Sequence, residues 1–89
     1  MREFSKGDVL IKPGDKVNKT FFILDGCMRS FFVDHEGRQH TLQFAIKDWW
    51  ISDFIALYNQ EAASVFVECI KKTRLVEFYM DDLEWGYLR

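Results

Sequence analysis

Four closely spaced glycines constrain the fold of this chain more than any other feature. They stand at positions 7, 14, 26 and 37, each next to a polar or acidic residue, and short runs of β-branched and aromatic residues separate them. Turn residues at intervals of roughly 7 to 12, with bulky runs between them, are typical of an all-β sandwich or roll. Nine Phe, three Trp and three Tyr supply the bulky core residues that favour strands over a helix bundle.

The bulky runs predict strands at residues 8–12, 19–24, 27–33, 38–46, 63–70 and 74–79. The third and fourth of these strands flank "DHEG" and form a predicted hairpin, whose tight turn ends on Gly37. Alternation in the second arm puts His40, Leu42, Phe44 and Ile46 on one face and Thr41, Gln43 and Ala45 on the other. The same rule predicts that one of Trp49 and Trp50 is a core residue and the other a rim residue.

A short helix interrupts the strands. Ser52 is its predicted N-cap, and the apolar residues that follow suit one or two helical turns before Asn59 ends them. After the last strand, Asp81 or Asp82 can cap a second helix that has only begun at Arg89. We therefore expect residues 1–89 to form a single β-roll domain that is a fragment of a longer protein.

Charge and motif content exclude several classes of function. Twelve Lys and Arg oppose fourteen Asp and Glu, and the basic residues are scattered, so no basic stripe for DNA or an anionic membrane is predicted. The apolar runs are too short to cross a bilayer, and Cys27 and Cys69 form no disulfide or zinc pattern, which predicts a soluble cytoplasmic protein. No nucleophile triad, phosphate loop or HExxH motif is present, so the chain is not expected to be an enzyme.

Two stretches carry a resemblance to a known family. "FSKGDVLIKPGD" resembles the opening roll, and "FFILDGCMRSFFVDHEGRQHTLQF" the glycine-marked central hairpin, of the cyclic-nucleotide-binding domain in Crp/Fnr bacterial transcription regulators. The resemblance runs without gaps over residues 4–78. It implies a jelly roll, or double-stranded β-helix, with a short inserted helix and the start of a C-terminal helix.

The family's phosphate-binding cassette corresponds to residues 51–65. A buried cyclic phosphate needs a guanidinium and backbone N–H groups at a helix start, and the ribose hydroxyl needs a carboxylate. The family's Gly-Glu pair falls on Ser52 and Asp53, and its Arg-Ser pair falls on Ala63 and Ser64, so three of the four positions differ. Without the arginine, affinity for a cyclic nucleotide is expected to fall by at least one to two decades, roughly.

Three further residues match positions that line the family's pocket: Ser30, Leu42 and Gln43. The resemblance therefore implies an effector-sensing domain with a degenerate cassette, no tightly bound cAMP and no other cofactor. It also implies a homodimer formed through the C-terminal helix. DNA would be bound only by a helix-turn-helix domain outside this chain, and the small-molecule effector is unknown.

The alternative is a free-standing cupin-like protein that binds a small molecule or a metal ion. Cupins share the roll and use inward-facing His and Glu ligands, and His35, Glu36 and His40 lie around the hairpin. The His-x-His pair of cupins is absent, however, and His35 falls in the turn itself. Metal analysis separates the two hypotheses, since a stoichiometric transition metal that is lost in His40→Ala would support the cupin.

Overall fold

The computed structural model describes residues 1–79 of the 89-residue chain. In chain order its elements are β1 Arg2–Phe4, β2 Val9–Ile11, β3 Lys19–Asp25, β4 Cys27–Val33, β5 Gln39–Ile46, β6 Trp50–Ile51, α1 Phe54–Asn59, β7 Phe66–Cys69 and β8 Thr73–Tyr79. Eight strands and one short inserted helix confirm the predicted all-β class. The predicted start of a C-terminal helix, capped by Asp81 or Asp82, lies outside the described residues.

The strands form two antiparallel four-stranded sheets that pack face to face. One sheet has the order β1-β8-β3-β6 and the other has the order β2-β7-β4-β5, so strands distant in sequence become neighbours in the manner of a jelly roll. Inward-facing residues of both sheets make one hydrophobic core, whose fully buried members include Phe21, Ile23, Met28, Ile51, Val67 and Leu75. Within residues 1–79, no helix has the length and apolar character needed to cross a membrane.

Gly26 makes the tight connection between β3 and β4 possible. Its φ is +113°, a conformation that side chains rarely adopt. A Cβ at this position would lie 2.6 Å from the Lys72 backbone oxygen and 2.5 Å from Thr73 Oγ1. The Thr73 hydroxyl in turn donates to the Cys27 carbonyl, so the absence of a side chain at Gly26 lets β8 approach the turn.

Strand β5 does not alternate as the sequence predicts. Its register against β4 shifts between the pairs Ser30–Gln43 and Phe31–Thr41, and the extra residue in β5 is Leu42. Beyond this bulge His40 lies opposite Phe32 and stacks on its ring at 4.7 Å, so it does not share a face with Phe44. The prediction of one unbroken face containing His40, Leu42, Phe44 and Ile46 is therefore wrong.

Trp49 and Trp50 both lie at the surface, so the prediction that one of these two is a core residue is also wrong. Trp49 is 51% exposed and Trp50 is 44% exposed. Trp50 packs between the rings of Phe22 and Phe78, with centroids 4.9 and 5.1 Å away, on the outer face of the first sheet. The three rings contact one another on the outer face of the sheet and are not part of the hydrophobic core.

Candidate functional site

Helix α1 begins one residue later than the sequence predicts, because its N-cap is Asp53 and not Ser52. The Asp53 side chain accepts from the Ala56 backbone N–H, which is the hydrogen bond of an N-cap. The Ser52 hydroxyl donates instead to the Lys19 carbonyl at 2.8 Å and ties the approach to the helix to β3. Gln60 ends the helix in the left-handed conformation, with φ at 56°.

Asp53 holds both halves of the predicted cassette together. One carboxylate oxygen accepts from Ala56 N at 3.0 Å, and the other accepts from Ser64 N at 2.9 Å. The residue is only 4% exposed. Two backbone N–H groups therefore stabilise its negative charge by hydrogen bonding. One belongs to the helix start and the other to the segment that leads into β7.

Ala63 is buried beside this carboxylate and is fixed by backbone contacts. Its N–H donates to the Asp15 carbonyl at 2.8 Å, and its own carbonyl accepts from Gly14 N at 2.9 Å. These two hydrogen bonds join the turn that contains Gly14 to the second half of the predicted cassette. The methyl of Ala63 packs within the hydrophobic core and supplies no charge to the site.

A cavity of about 520 Å³ opens next to Asp53. It is lined by Ser30, Phe32, Val33, Leu42, Gln43, Ser52, Asp53, Phe54, Ile55, Ser64 and Val65. Six of the seven residues singled out in the sequence are therefore brought together around one space, and Ala63 lies behind the lining. Apart from Leu42, the apolar residues that line the cavity were not predicted from the sequence, because nothing distinguishes Phe32 or Val65 from ordinary core residues before the sheets are assembled.

The polar side chains that line the cavity differ in whether they already form hydrogen bonds within the protein. Gln43 Nε2 donates to the Trp50 carbonyl at 3.1 Å, and the Ser52 hydroxyl is committed to Lys19. The Ser30 hydroxyl makes no side-chain hydrogen bond within residues 1–79, although Ser30 is only 4% exposed. Every fully enclosed side-chain polar atom in the same range has a partner, so the free side of the Ser30 hydroxyl faces the cavity.

The histidines of the cupin alternative belong to the β4–β5 hairpin. His40 Nε2 lies 2.8 Å from Asp34 Oδ2, while His35 is a solvent-exposed turn residue. The hydrogen bond from His40, together with those from backbone N–H groups of the turn, lowers the pKa of Asp34 from 3.8 to about 2. In the part of the chain that the structure describes, no three His, Cys, Asp or Glu side chains are grouped to hold a metal ion.

Solved structures with this architecture include three bacterial regulatory proteins. Thermus thermophilus catabolite activator protein matches at 18% identity with a TM-score of 0.77, over 98% of this chain and 38% of that chain. The sensor domain of the transcriptional regulator DNR from Pseudomonas aeruginosa matches at 12% identity with a TM-score of 0.81. This match covers 97% of this chain and 56% of the DNR chain. The N-terminal domain of a Streptomyces coelicolor A3(2) transcriptional regulator matches at 18% identity with a TM-score of 0.79. This match covers 99% of this chain and 63% of that chain.

This chain spans less than two thirds of each of those three structures. No curated protein is similar enough in sequence to match it. A family model described as the cyclic nucleotide-binding domain matches residues 1–87, which is nearly the whole chain. The chain therefore belongs to the cyclic nucleotide-binding domain family.

Proposed function

We propose that this domain is the effector-sensing domain of a Crp/Fnr-like transcription regulator, and that its cassette no longer binds cyclic nucleotides tightly. Family membership supports the sensing role, as does the likeness to the sensor domain of one transcriptional regulator and to the N-terminal domain of another. The hydrogen bonds of Asp53 are the main support for weak nucleotide binding. The Asp53 carboxylate already occupies the Ser64 N–H and the helix-start N–H, the type of donors that a phosphate in the cassette requires.

Charge strengthens this argument. A phosphate next to Asp53 would meet a buried negative charge, and Ala63 offers no guanidinium to offset it. A charge-assisted hydrogen bond contributes roughly 1.5–3 kcal/mol, so its loss alone weakens binding by about one to two decades. The further cost of displacing Asp53 from its two backbone donors is added to that loss.

The sensing role also implies properties of the whole regulator. We infer a cytoplasmic regulator that acts by binding rather than by catalysis and holds no permanent cofactor. It would form a homodimer through a C-terminal helix and contact DNA through a helix-turn-helix domain beyond Arg89. The net charge of −2, without a basic stripe, supports a domain that leaves DNA contacts to another part of the protein.

Calorimetric titration of the purified chain with cAMP and cGMP tests the proposal. We expect no binding tighter than about the high micromolar range, given the missing charge-assisted contacts. Circular dichroism of the same sample verifies that the β-sheets are folded. A sub-micromolar dissociation constant for either nucleotide contradicts the proposal, because it would require a phosphate site that Asp53 leaves free.

A further inference from the structure

We propose that the cavity beside Asp53 binds a largely apolar small molecule that has no negative charge and carries one or two hydrogen-bonding groups. The identification of this molecule as the effector rests on the proposed function, but the ligand chemistry follows from the cavity itself. Three features determine it: an internal anion, an apolar wall and a hydroxyl without a partner.

The internal anion is Asp53. Its carboxylate accepts from Ser64 N and from Ala56 N at the helix start, so these backbone donors are not available to an anionic group of a ligand. Among the described residues that line the cavity, Asp53 is the one charged side chain, and no Lys, Arg or His faces the space. An anionic ligand would therefore lose its hydration next to a like charge without gaining a counter-charge. This excludes phosphates, carboxylates and sulfonates as ligands of high affinity.

The apolar wall selects for a ligand that is mostly hydrocarbon. Six lining residues are apolar: Phe32, Val33, Leu42, Phe54, Ile55 and Val65. Two of them, Leu42 and Ile55, are 60% and 69% exposed at the cavity rim. The bulge in β5 gives Leu42 this position, whereas its neighbour Phe44 pairs with Arg29 and does not line the cavity. A bound ligand would cover the apolar rim that is now open to water.

The polar requirement comes from Ser30, with Gln43 beside it. Ser30 on β4 lines the cavity, and its hydroxyl has no side-chain hydrogen-bond partner within residues 1–79, so the hydroxyl is accessible from the cavity. Gln43 is the cross-strand neighbour of Ser30 and keeps its side-chain carbonyl available when Nε2 donates to Trp50. A hydroxyl, amide or carbonyl group on the ligand can satisfy these groups without carrying charge. These two residues therefore fix the position of a polar group against an otherwise apolar surface.

Two fluorescent probes that share one aromatic skeleton test this proposal. N-phenyl-1-naphthylamine is neutral, whereas 8-anilino-1-naphthalenesulfonate adds a sulfonate. We expect the neutral probe to bind at least about tenfold more tightly, because the sulfonate meets Asp53 without a cation. Equal affinities, or tighter binding of the sulfonate, would overturn the proposal.

A pair of variants locates the binding. Leu42→Glu places a charge at the cavity rim, and Phe44→Glu places the same charge on the same strand outside the cavity; both native residues are more than half exposed. The neutral probe should bind Leu42→Glu at least about tenfold more weakly and Phe44→Glu within about twofold of the parent. Equal effects of the two variants would place the probe elsewhere and refute the cavity as its site.

Amide chemical-shift mapping of the unmutated chain gives a second readout that does not depend on a variant folding. Shifts caused by the neutral probe should cluster at Ser30, Gln43 and Ser64, and a cluster on the outer aromatic surface around Trp50 would contradict the proposal. The two proposals fail separately. Tight cAMP binding overturns the proposed function, whereas weak cAMP binding without a preference for the neutral probe overturns only the ligand class.

Discussion

Replacing Asp53 by alanine should destabilise the domain more than removing any exposed turn carboxylate. In the folded chain, its two oxygens accept from Ala56 N and Ser64 N at 3.0 and 2.9 Å, in a residue that is 4% exposed. Asp53→Ala removes both acceptors at once. The helix start then loses its cap, and the Ser64 N–H loses its carboxylate acceptor.

The magnitude follows from these two contacts. Loss of an N-cap acceptor costs about 0.5–2 kcal/mol, and a hydrogen bond to a charged group contributes about 1.5–3 kcal/mol. Relief of the buried charge offsets part of the sum, so we expect a loss of about 2–4 kcal/mol in the free energy of unfolding. A small domain has only about 5–15 kcal/mol of stability in total, so the change is large.

Urea unfolding followed by circular dichroism measures this loss. The midpoint should fall by about 1 M or more, given a typical slope of about 1–3 kcal/mol per M. Asp8→Ala is the matched control, because Asp8 is exposed and accepts one backbone hydrogen bond, from Ser5 N at 2.8 Å. Asp53→Asn should fall between the two, since an amide keeps one acceptor for the helix cap. If Asp53→Ala costs no more than Asp8→Ala, the bridging role of this carboxylate is refuted.

Two further predictions concern the hairpin and the turn between β3 and β4. Gly26→Ala should lower the free energy of unfolding by more than about 2 kcal/mol, because its Cβ would meet the Lys72 carbonyl at 2.6 Å. Gly37→Ala, at a φ of 84° with open space around it, should cost about 1 kcal/mol in a parallel urea series, and equal costs would contradict the packing argument. Asp34 has a folded pKa of about 2 against 3.8 for the free side chain, so its stabilising effect is present above pH 3.8 and is lost as the pH falls towards 2. Carbon-detected NMR titration of its carboxyl should show the low pKa, and a midpoint near 3.8 would disprove the contact with His40.

The sequence predicted the strands and the inserted helix well, because both depend on local signals. Turn residues separate the strands, and the change from alternating to helical periodicity after Trp50 locates α1. The short strands β1 and β6 were not predicted, since their two or three residues acquire strand geometry only by pairing with β8 and β3.

The errors arise where a distant partner decides the local structure. Ser52 and Asp53 are both good N-caps by residue type, and the choice is made by the Lys19 carbonyl and the Ser64 N–H, which lie 33 and 11 residues away in sequence. The bulge at Leu42 likewise depends on the register against β4 and has no signature of its own in the chain. Bulges of this kind often lie next to functional sites, and this one turns a strand residue into part of the cavity rim.

Titration with cAMP of the double variant Asp53→Glu with Ala63→Arg tests whether residues 51–65 keep the shape of the family's phosphate-binding cassette. In the native chain, Asp53 occupies the Ala56 and Ser64 N–H groups, and Ala63 supplies no counter-charge for a phosphate. Restoring the guanidinium and the longer acid of the family's cassette should raise cAMP affinity by about one to two decades over the parent chain, measured by calorimetry on variants whose folding is verified by circular dichroism. A folded double variant that binds cAMP no better than the parent would contradict the assignment of the cassette to these residues.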